Sequence, residues 1–263
     1  MTLVSKTRLA TLALVAASLL APTASFAQDT STFRATVYGF VPSLVGDTAF
    51  QTPLGNSFDI NRETLIENTD FALMGLLEVQ KGRIGGFVDA MYFNLGTSKT
   101  ATREVALPGA PIALPIKADA QLDIEAWVSE AALNIRALAG RAGHIDVFGG
   151  ARRLEAIGTL NYAFSSPLGA GPQGVTEATN ANWDAIGGVR GRVRVGPLTI
   201  PYYADAGAGD SDLTWQVMTG VGYEMRHFDV GVMWRHIDYR MKGERQIADL
   251  ELNGPSAGIT FKW

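Results

Sequence analysis

The sequence predicts an all-β fold: a transmembrane, antiparallel, up-and-down β-barrel of about ten strands, with eight strands as the alternative. Three observations predict it. An apolar leader starts the chain, and no later apolar run is long enough for a helical span. Apolar and polar residues alternate with a period of two from Thr32 onwards, and the connections between the alternating segments are short and long in turn. A closed antiparallel barrel with an even number of strands explains all three observations.

The composition narrows the function classes. Of the 263 residues, 47% are hydrophobic and 18% are charged, which excludes a disordered chain. The chain has no cysteine, so disulfides and thiolate sites are excluded. The formal net charge of −4 argues against general nucleic-acid binding, and three histidines are too few for a histidine-rich metal site. The sequence therefore predicts no nucleic-acid partner, no metal and no cofactor.

Residues 1–27 have the pattern of a secretory signal peptide. Two cationic residues precede an apolar run over residues 9–21, which Pro22 ends. This run is shorter than the roughly 20 residues that a membrane-spanning helix needs. Small residues at the −3 and −1 positions, Ser25 and Ala27, predict cleavage after Ala27, and an uncleaved membrane anchor is the alternative. The predicted organisation is a cleaved signal peptide followed by one barrel domain over residues 28–263.

The period of two is clearest over residues 183–195. Alternate positions from Trp183 to Val195 are apolar or small, whereas Arg190, Arg192 and Arg194 fall between them. A helix would scatter the three arginines around its circumference, but a strand places them on one side, about 6–7 Å apart. The ten segments predicted in this way are 33–41, 69–80, 84–95, 121–138, 144–157, 182–195, 199–207, 213–224, 228–240 and 250–263.

The connections between these strands sort by length. The short ones are 81–83, 139–143, 196–198 and 226–227, and the longer ones are 42–68, 96–120, 158–181, 208–212 and 241–249. Outer-membrane barrels have tight periplasmic turns and longer external loops, so this order places both ends of the chain on the periplasmic side. Within the longer connections, residues 59–68 are compatible with a short helix. Residues 107–116 contain three prolines and are predicted to form a loop or a rim hairpin.

One face of the predicted strands is apolar, as a wall in contact with lipid requires. The residues assigned to this outer face are Phe71, Leu73, Leu77, Val79, Val88, Ala90, Tyr92, Leu133, Ile135, Ile145, Val147, Val189, Val193, Tyr202, Val217, Val221, Tyr223, Val230, Val232, Trp234, Ile259, Phe261 and Trp263. Aromatic residues fall near strand ends, where a barrel carries its interfacial girdles. These are Phe33, Trp127, Trp183, Trp215, Tyr223, Trp234 and Trp263.

The opposite face carries eight cations and eight anions. The predicted lumen charge network comprises Glu78, Asp89, Glu130, Arg136, Asp184, Arg190, Arg192, Arg194, Asp205, Glu224, Asp229 and Arg235. Four further charged residues on this face are Arg34, Asp146, Arg152 and Lys262. Buried charges must be paired, so the balance of signs favours a lumen filled by ion pairs. The arginines at 190, 192 and 194 are expected to pair with acids of neighbouring strands, namely Asp184, Asp205, Glu224 and Asp229. A soluble barrel or sandwich with these charges facing solvent is the alternative.

The last residues resemble a known family. The alternation over 258–263, with Ile259, Phe261 and Trp263 on one face, resembles the C-terminal strand of bacterial outer-membrane β-barrel proteins. Residues 220–224 and 234–239 resemble late strands of small surface barrels of this kind, many of them uncharacterised. The resemblance implies a location in the outer membrane of a Gram-negative bacterium, in contact with outer-membrane lipid and lipopolysaccharide. It also implies that the three C-terminal residues are a signal for the barrel-assembly machinery.

Three functions remain open from the sequence. The first is a non-enzymatic outer-membrane barrel with a mostly plugged lumen, whose external loops serve envelope structure or surface interaction. The second is a narrow, porin-like channel for small solutes or anions, which would use the arginine row at Arg190, Arg192 and Arg194. Ten strands enclose a narrow interior, so a wide pore is not expected. The sequence leaves the solute, the loop partners and the oligomeric state open.

The third function is a hydrolase at the external rim. It would combine His236 and Asp238 with Asp210 and Ser211 of the neighbouring connection. The alternation opposes this hypothesis, because it assigns His236 to the same lipid-facing side as Trp234. Two acids in the same connection also suggest calcium, but two are weak support for a site. No catalytic residue is therefore predicted.

Overall fold

The structure, a computed structural model, describes residues 31–52, 55–60, 69–106, 113–243 and 247–263. Within these ranges every regular element is a β-strand. A helix that could span a membrane is not found in them. The predicted signal peptide lies outside the described residues. The twelve strands are β1 (Thr32–Phe40), β2 (Ser43–Thr52), β3 (Gly55–Ile60), β4 (Thr69–Lys81), β5 (Ile84–Ala106), β6 (Ala113–Gly140), β7 (Gly143–Ser166), β8 (Gly169–Val195), β9 (Leu198–Gly209), β10 (Ser211–Glu224), β11 (Phe228–Met241) and β12 (Ile247–Lys262).

Ten of these strands close into a ring. The hydrogen-bonded order runs from β1 to β4 and then through each strand to β12, and β12 pairs antiparallel with β1. Arg34 faces Lys262 across this seam, and Phe33 and Trp263 exchange backbone hydrogen bonds of 2.9 and 3.1 Å. The structure confirms the predicted up-and-down barrel and gives ten strands in the ring rather than eight.

The other two strands correct the prediction for the first long connection. After a break at Val41 and Pro42, β2 continues along β12, where Ser43 pairs with Asn253, and β3 pairs back onto β2. Proline has no N–H to donate, which fits a break at this point. Asp59 and Ile60 of the predicted helix belong to β3, and the rest of that helix lies outside the described residues.

The predicted loops at 96–120 and 158–181 are largely strand. β5 continues to Ala106 and β6 starts at Ala113, while β7 and β8 are separated only by residues 167–168. Beyond the bilayer the outer face needs no apolar residues, so the alternation of apolar and polar residues fades although the backbone pairing continues. The connection at 208–212 is also tighter than predicted, because Asp210 alone separates β9 from β10.

The four short turns lie at one end of the barrel, which we call the turn end. They comprise residues 82–83, 141–142, 196–197 and 225–227. Gly82 and Gly196 open two of them with φ values of +58° and +64°. Tight hairpins need this left-handed conformation, which glycine adopts without a steric cost. The opposite end, where β5–β6 and β7–β8 extend furthest, is the hairpin end.

The wall near the turn end has an apolar outer surface. Side chains alternate sharply in exposure: Val147 is 50% exposed, whereas Phe148 on the opposite face is 4% exposed. The exposed apolar side chains of this belt include Leu77, Val79, Val88, Leu133, Ile135, Val189, Val193, Val217, Val221, Val232, Ile259 and Phe261. Charges inside and an apolar surface outside are the reverse of a soluble protein and suit contact with lipid.

Aromatic residues mark both limits of the belt. At the turn end, Phe33 and Trp263 stack with ring centroids 6.2 Å apart. Towards the hairpin end, Tyr92 is buried against Trp127, with ring centroids 4.7 Å apart, and its hydroxyl donates to Glu125 at 2.9 Å. Tyr92 was predicted to face lipid, but it is 3% exposed and packs against the indole of Trp127 on the neighbouring strand. For Phe71 and Leu73 the structure describes the backbone only.

Beyond this limit the outer surface becomes polar. Glu155, which faces Trp127 in the strand register, already pairs with Arg153 at 2.8 Å. Further along, Thr100 and Lys117 both donate to the Asp119 carboxylate, at 2.6 and 2.9 Å. These two donors hold the pKa of Asp119 below its usual value. A transmembrane strand needs about 9–11 residues, and β6 has 28. The hairpins β5–β6 and β7–β8 therefore extend well past the apolar belt.

Candidate functional site in the barrel lumen

At the turn end of the lumen, cations from several strands share carboxylates. Arg34 on β1 donates to Asp229 on β11 at 3.1 Å, and its Nε lies 3.3 Å from a carboxylate oxygen of Glu78 on β4. Lys262 on β12 donates to the other oxygen of Asp229 at 2.6 Å. These contacts connect the strands on both sides of the β1–β12 seam.

The arginine row of β8 points into the same region. Arg190 pairs with Glu78, and its guanidinium lies 4.3 Å from the ring centroid of Phe87. Arg192 donates to Glu224 on β10 at 3.2 Å. Because β4 and β8 are not neighbours, the pair between Arg190 and Glu78 crosses the lumen rather than following the wall.

Arg194 completes the row at the mouth of the lumen. Its Nε lies 3.2 Å from Glu224, and its side chain is partly exposed. The sequence reading paired the row with Asp184, Asp205, Glu224 and Asp229. Only the last two lie near the row, because Asp184 and Asp205 are further from the turn end and bind other partners.

A separate pair lies beside the row. Arg136 donates two hydrogen bonds to Asp146, at 2.8 and 3.1 Å, in the bidentate geometry that guanidinium and carboxylate favour. Asn134 donates to Asp146 at 3.3 Å and to Gln80 at 2.9 Å. His144 lies 3.9 Å from the same carboxylate. The charges of Arg136 and Asp146 therefore cancel locally.

The centre of the lumen is built around Arg152 on β7. Its side chain is fully buried and donates to Glu130 on β6 at 3.0 Å, to Asp205 on β9 and to Thr214 on β10 at 3.1 Å. Tyr203 donates to the other oxygen of Glu130. One guanidinium thus connects four strands, β6, β7, β9 and β10, and meets two carboxylates, an arrangement in which a buried charge is both paired and hydrogen-bonded.

A second buried arginine lies close to the first. Arg235 on β11 donates to Asp89 on β5 at 2.9 Å, to Gln216 on β10 at 2.9 Å and to the hydroxyl of Tyr38 on β1 at 2.9 Å. That hydroxyl donates in turn to Asp89 at 2.6 Å. Since β5 and β11 lie on different sides of the ring, this network also spans the lumen.

Apolar side chains fill the lumen on both sides of these two centres. The layer nearer the turn end contains Leu76, Phe87, Ala132, Phe148, Ile186, Tyr203 and Met218. The layer nearer the hairpin end contains Tyr38, Phe40, Met74, Met91, Phe93, Ile124, Ala126, Val128, Leu154, Ala156, Ile237, Tyr239, Met241, Leu250 and Leu252. The interior is therefore a packed core with an ionic middle.

Asp184, another member of the predicted network, closes a turn instead of binding a cation. It accepts hydrogen bonds from the backbone N–H and the hydroxyl of Ser211, at 2.8 and 2.9 Å. Asn182 donates to the same hydroxyl at 3.0 Å. This local network fixes the tight β9–β10 turn against β8.

The structure therefore places the twelve predicted network residues in the lumen, but in separate groups rather than in one network. The sequence reading gave Arg152 no special position, and it missed the uncharged partners Tyr38, Tyr203, Thr214 and Gln216. The period of two already assigns these side chains to the inner face. Nothing in the sequence states which of them meet across the barrel, because those contacts depend on the strand register and tilt.

The residues of the hypothetical rim hydrolase do not come together. The His236 ring packs 4.5 Å from the Trp215 ring on the outer face, and its Nδ1 lies 3.5 Å from Glu251. Ser211 is buried on the inner face. Asp210 accepts a hydrogen bond from the backbone N–H of Trp183 at 2.9 Å. The candidate nucleophile and base thus lie on opposite faces of the wall.

The remaining candidate, Asp238, lies 3.6 Å from Arg240 on its own strand. Among the described residues, no three or more histidine or acidic side chains are grouped so that they could hold a metal ion. Asp210 and Asp212 therefore have no third ligand of this kind in the described part of the chain.

Comparison with solved structures identifies the architecture. The outer-membrane protease OmpT of Escherichia coli matches over 92% of this chain and 99% of its own, with a TM-score of 0.50 and 11% sequence identity. The protein has the fold of the bacterial outer-membrane β-barrels. The attachment invasion locus protein Ail of Yersinia pestis matches over 90% of this chain and 100% of its own, with a TM-score of 0.33 and 9% sequence identity. No family model and no curated protein matches the sequence.

Proposed function

We propose that the protein is a non-enzymatic barrel of a Gram-negative outer membrane, with a closed lumen and long external hairpins that serve envelope structure or surface interaction. The turn end faces the periplasm, and the apolar belt contacts outer-membrane lipid and lipopolysaccharide. The observation that carries the proposal is the Arg152 centre. A side chain with no exposed surface, bound to Glu130 and Asp205, leaves no room for a wide aqueous path.

The external hairpins supply the second part of the proposal. From the level of Tyr92 and Trp127 outwards, the outer face of β5–β8 carries hydrogen-bonded polar and charged side chains, such as Glu155 and Asp119. Such a surface is suited to water and to the sugars and phosphates of lipopolysaccharide, and not to the hydrocarbon core. A rigid, paired sheet that projects from the membrane can present contacts to a partner without first becoming ordered.

Planar-bilayer conductance tests the closed lumen. We expect no steady conductance from the purified barrel and no change in Arg192→Ala, because the ionic centre and the two apolar layers block the path above the arginine row. Arg152→Ala combined with Arg235→Ala should produce measurable openings, since both cross-lumen connections are removed. A general-diffusion porin in the same bilayer is the positive control. A steady anion-selective conductance of the wild type that falls in Arg192→Ala would favour the channel instead.

A further inference from the structure

A cavity of about 340 Å³ lies inside the lumen at the turn end. We call it the vestibule. Five arginines contribute to its lining: Arg34, Arg136, Arg190, Arg192 and Arg194. Arg194 is 42% exposed at the side chain, which places it at the mouth. Arg34, Arg190 and Arg192 also line a smaller cavity of about 150 Å³ that lies deeper in the lumen, beside Phe87 and Tyr203. The vestibule therefore lies between its mouth at the turn end and the packed interior around Arg152.

The charges around the vestibule do not balance. Five cations pair with only three carboxylates, Glu78, Glu224 and Asp229, and each carboxylate contacts at least two of the cations. The five cations are Arg34, Arg190, Arg192, Arg194 and Lys262. Arg136 and Asp146 cancel each other. The described side chains thus leave a net charge of +2 in a confined space.

An uncompensated positive charge inside a barrel calls for an anion. Guanidinium groups present fixed forks of N–H donors that match phosphate oxygens. The Nε of Arg34 is buried and lies 3.3 Å from a Glu78 oxygen without an aligned hydrogen bond, so this donor is only partly satisfied. The wall separates the vestibule from the bilayer, which leaves a soluble anion from the turn end, and not a lipid headgroup, as the occupant.

We infer that the vestibule binds a soluble phosphate dianion, either inorganic phosphate or a small phosphate monoester, with Arg34, Arg190 and Arg192 as its principal donors. Two negative charges on the ligand neutralise the two excess positive charges of the site. A ligand held at one end of the lumen does not have to cross the barrel, so this inference goes beyond the proposed function and does not depend on it.

Calorimetric titration of the detergent-solubilised barrel with inorganic phosphate, at about pH 8 where phosphate is mostly a dianion, tests the inference. We expect one phosphate per chain. Arg192→Ala should weaken binding by about tenfold or more, because it removes a charge-assisted hydrogen bond. Glu224→Gln should strengthen binding, because it releases Arg192 and Arg194 from their shared carboxylate. Compact migration of unboiled samples on detergent gels shows that each variant is folded.

Arg141→Ala is the matched control. Arg141 lies in an exposed turn at the same end and does not line the vestibule. Its replacement by alanine changes the net charge of the chain by the same amount as Arg192→Ala. Phosphate binding should be unchanged in this variant. Equal weakening in Arg141→Ala and Arg192→Ala would show that the overall charge of the turn end attracts phosphate, and would overturn a specific site in the vestibule. Absence of phosphate binding by the wild type would also overturn the inference.

Discussion

Replacement of Arg152 by alanine is expected to lower the free energy of unfolding by about 3–5 kcal/mol, because it leaves the charges of Glu130 and Asp205 buried without a partner. Arg152 on β7 binds Glu130 on β6, Asp205 on β9 and Thr214 on β10, so its loss affects four strands together. Denaturant unfolding in detergent micelles, followed through the fluorescence of the five tryptophans, gives the value directly.

The neighbouring residue provides the control. Arg153 points to the opposite face, is 41% exposed at the side chain and pairs with Glu155 at 2.8 Å. An exposed ion pair contributes at most about 1 kcal/mol, so Arg153→Ala should be nearly neutral. A triple change of Arg152→Met, Glu130→Gln and Asp205→Asn should recover much of the lost stability, since no charge then remains unpaired. Equal costs for Arg152→Ala and Arg153→Ala would contradict the buried centre.

Deletion of residues 259–263 is expected to abolish the closed barrel. This segment pairs with β1 on one side, where Ile259 faces Val37, and with β11 on the other, where Phe261 faces Phe228. Its loss would expose unpaired backbone groups of both neighbours to lipid, at a cost of several kcal/mol for each group. Heat-modifiable migration on a detergent gel should disappear after refolding from urea, and a persisting compact band would show that the seam does not close the ring.

A double substitution separates closure from recognition. Phe261→Ala with Trp263→Ala keeps every backbone pairing of the segment, so the purified chain should still refold into a compact form. In cells the same variant should accumulate outside the membrane fraction if these aromatics are the signal for the barrel-assembly machinery. Normal assembly of this variant in cells would remove that role from Phe261 and Trp263, whatever the deletion does.

The sequence predicted the ring because its physical requirement recurs in every strand. Residues within the bilayer must alternate between lipid and lumen, and this alternation is explicit in 183–195, where Val189 and Val193 are exposed and Asp184 and Ile186 are buried. The extensions of the β5–β6 and β7–β8 hairpins were not predicted as strands, because an outer face in water does not require alternating apolar residues. Thr100 in β5 pairs with Asp119 in β6, for example, although no apolar pattern in the sequence predicts this pairing.

The interior was predictable in kind but not in detail. Alternation assigns Arg152, Asp205 and Arg235 to the lumen, yet their partners follow from which strands meet across the ring. Asp205 and Asp184 were expected beside the arginine row of β8. The register raises Asp205 to the level of Arg152 and places Asp184 at the β9–β10 turn, beside Ser211. The excess of positive charge at the turn end has the same cause. The inner face as a whole carries equal numbers of cations and anions, but Asp184 and Asp205 lie away from the arginine row.

The most direct test is a scan in which single cysteines are introduced along residues 183–195 and carry a spin label. The native sequence has no cysteine, so each label reports on the introduced position alone. In bilayers, labels at Val189 and Val193 should be accessible to oxygen dissolved in the hydrocarbon, whereas labels at Ile186 and Arg190 should be shielded from it. A period of two with this phase is the result the barrel predicts. The opposite phase, with the arginine positions facing the surroundings and the valines enclosed, would contradict a charged lumen inside a lipid-facing wall.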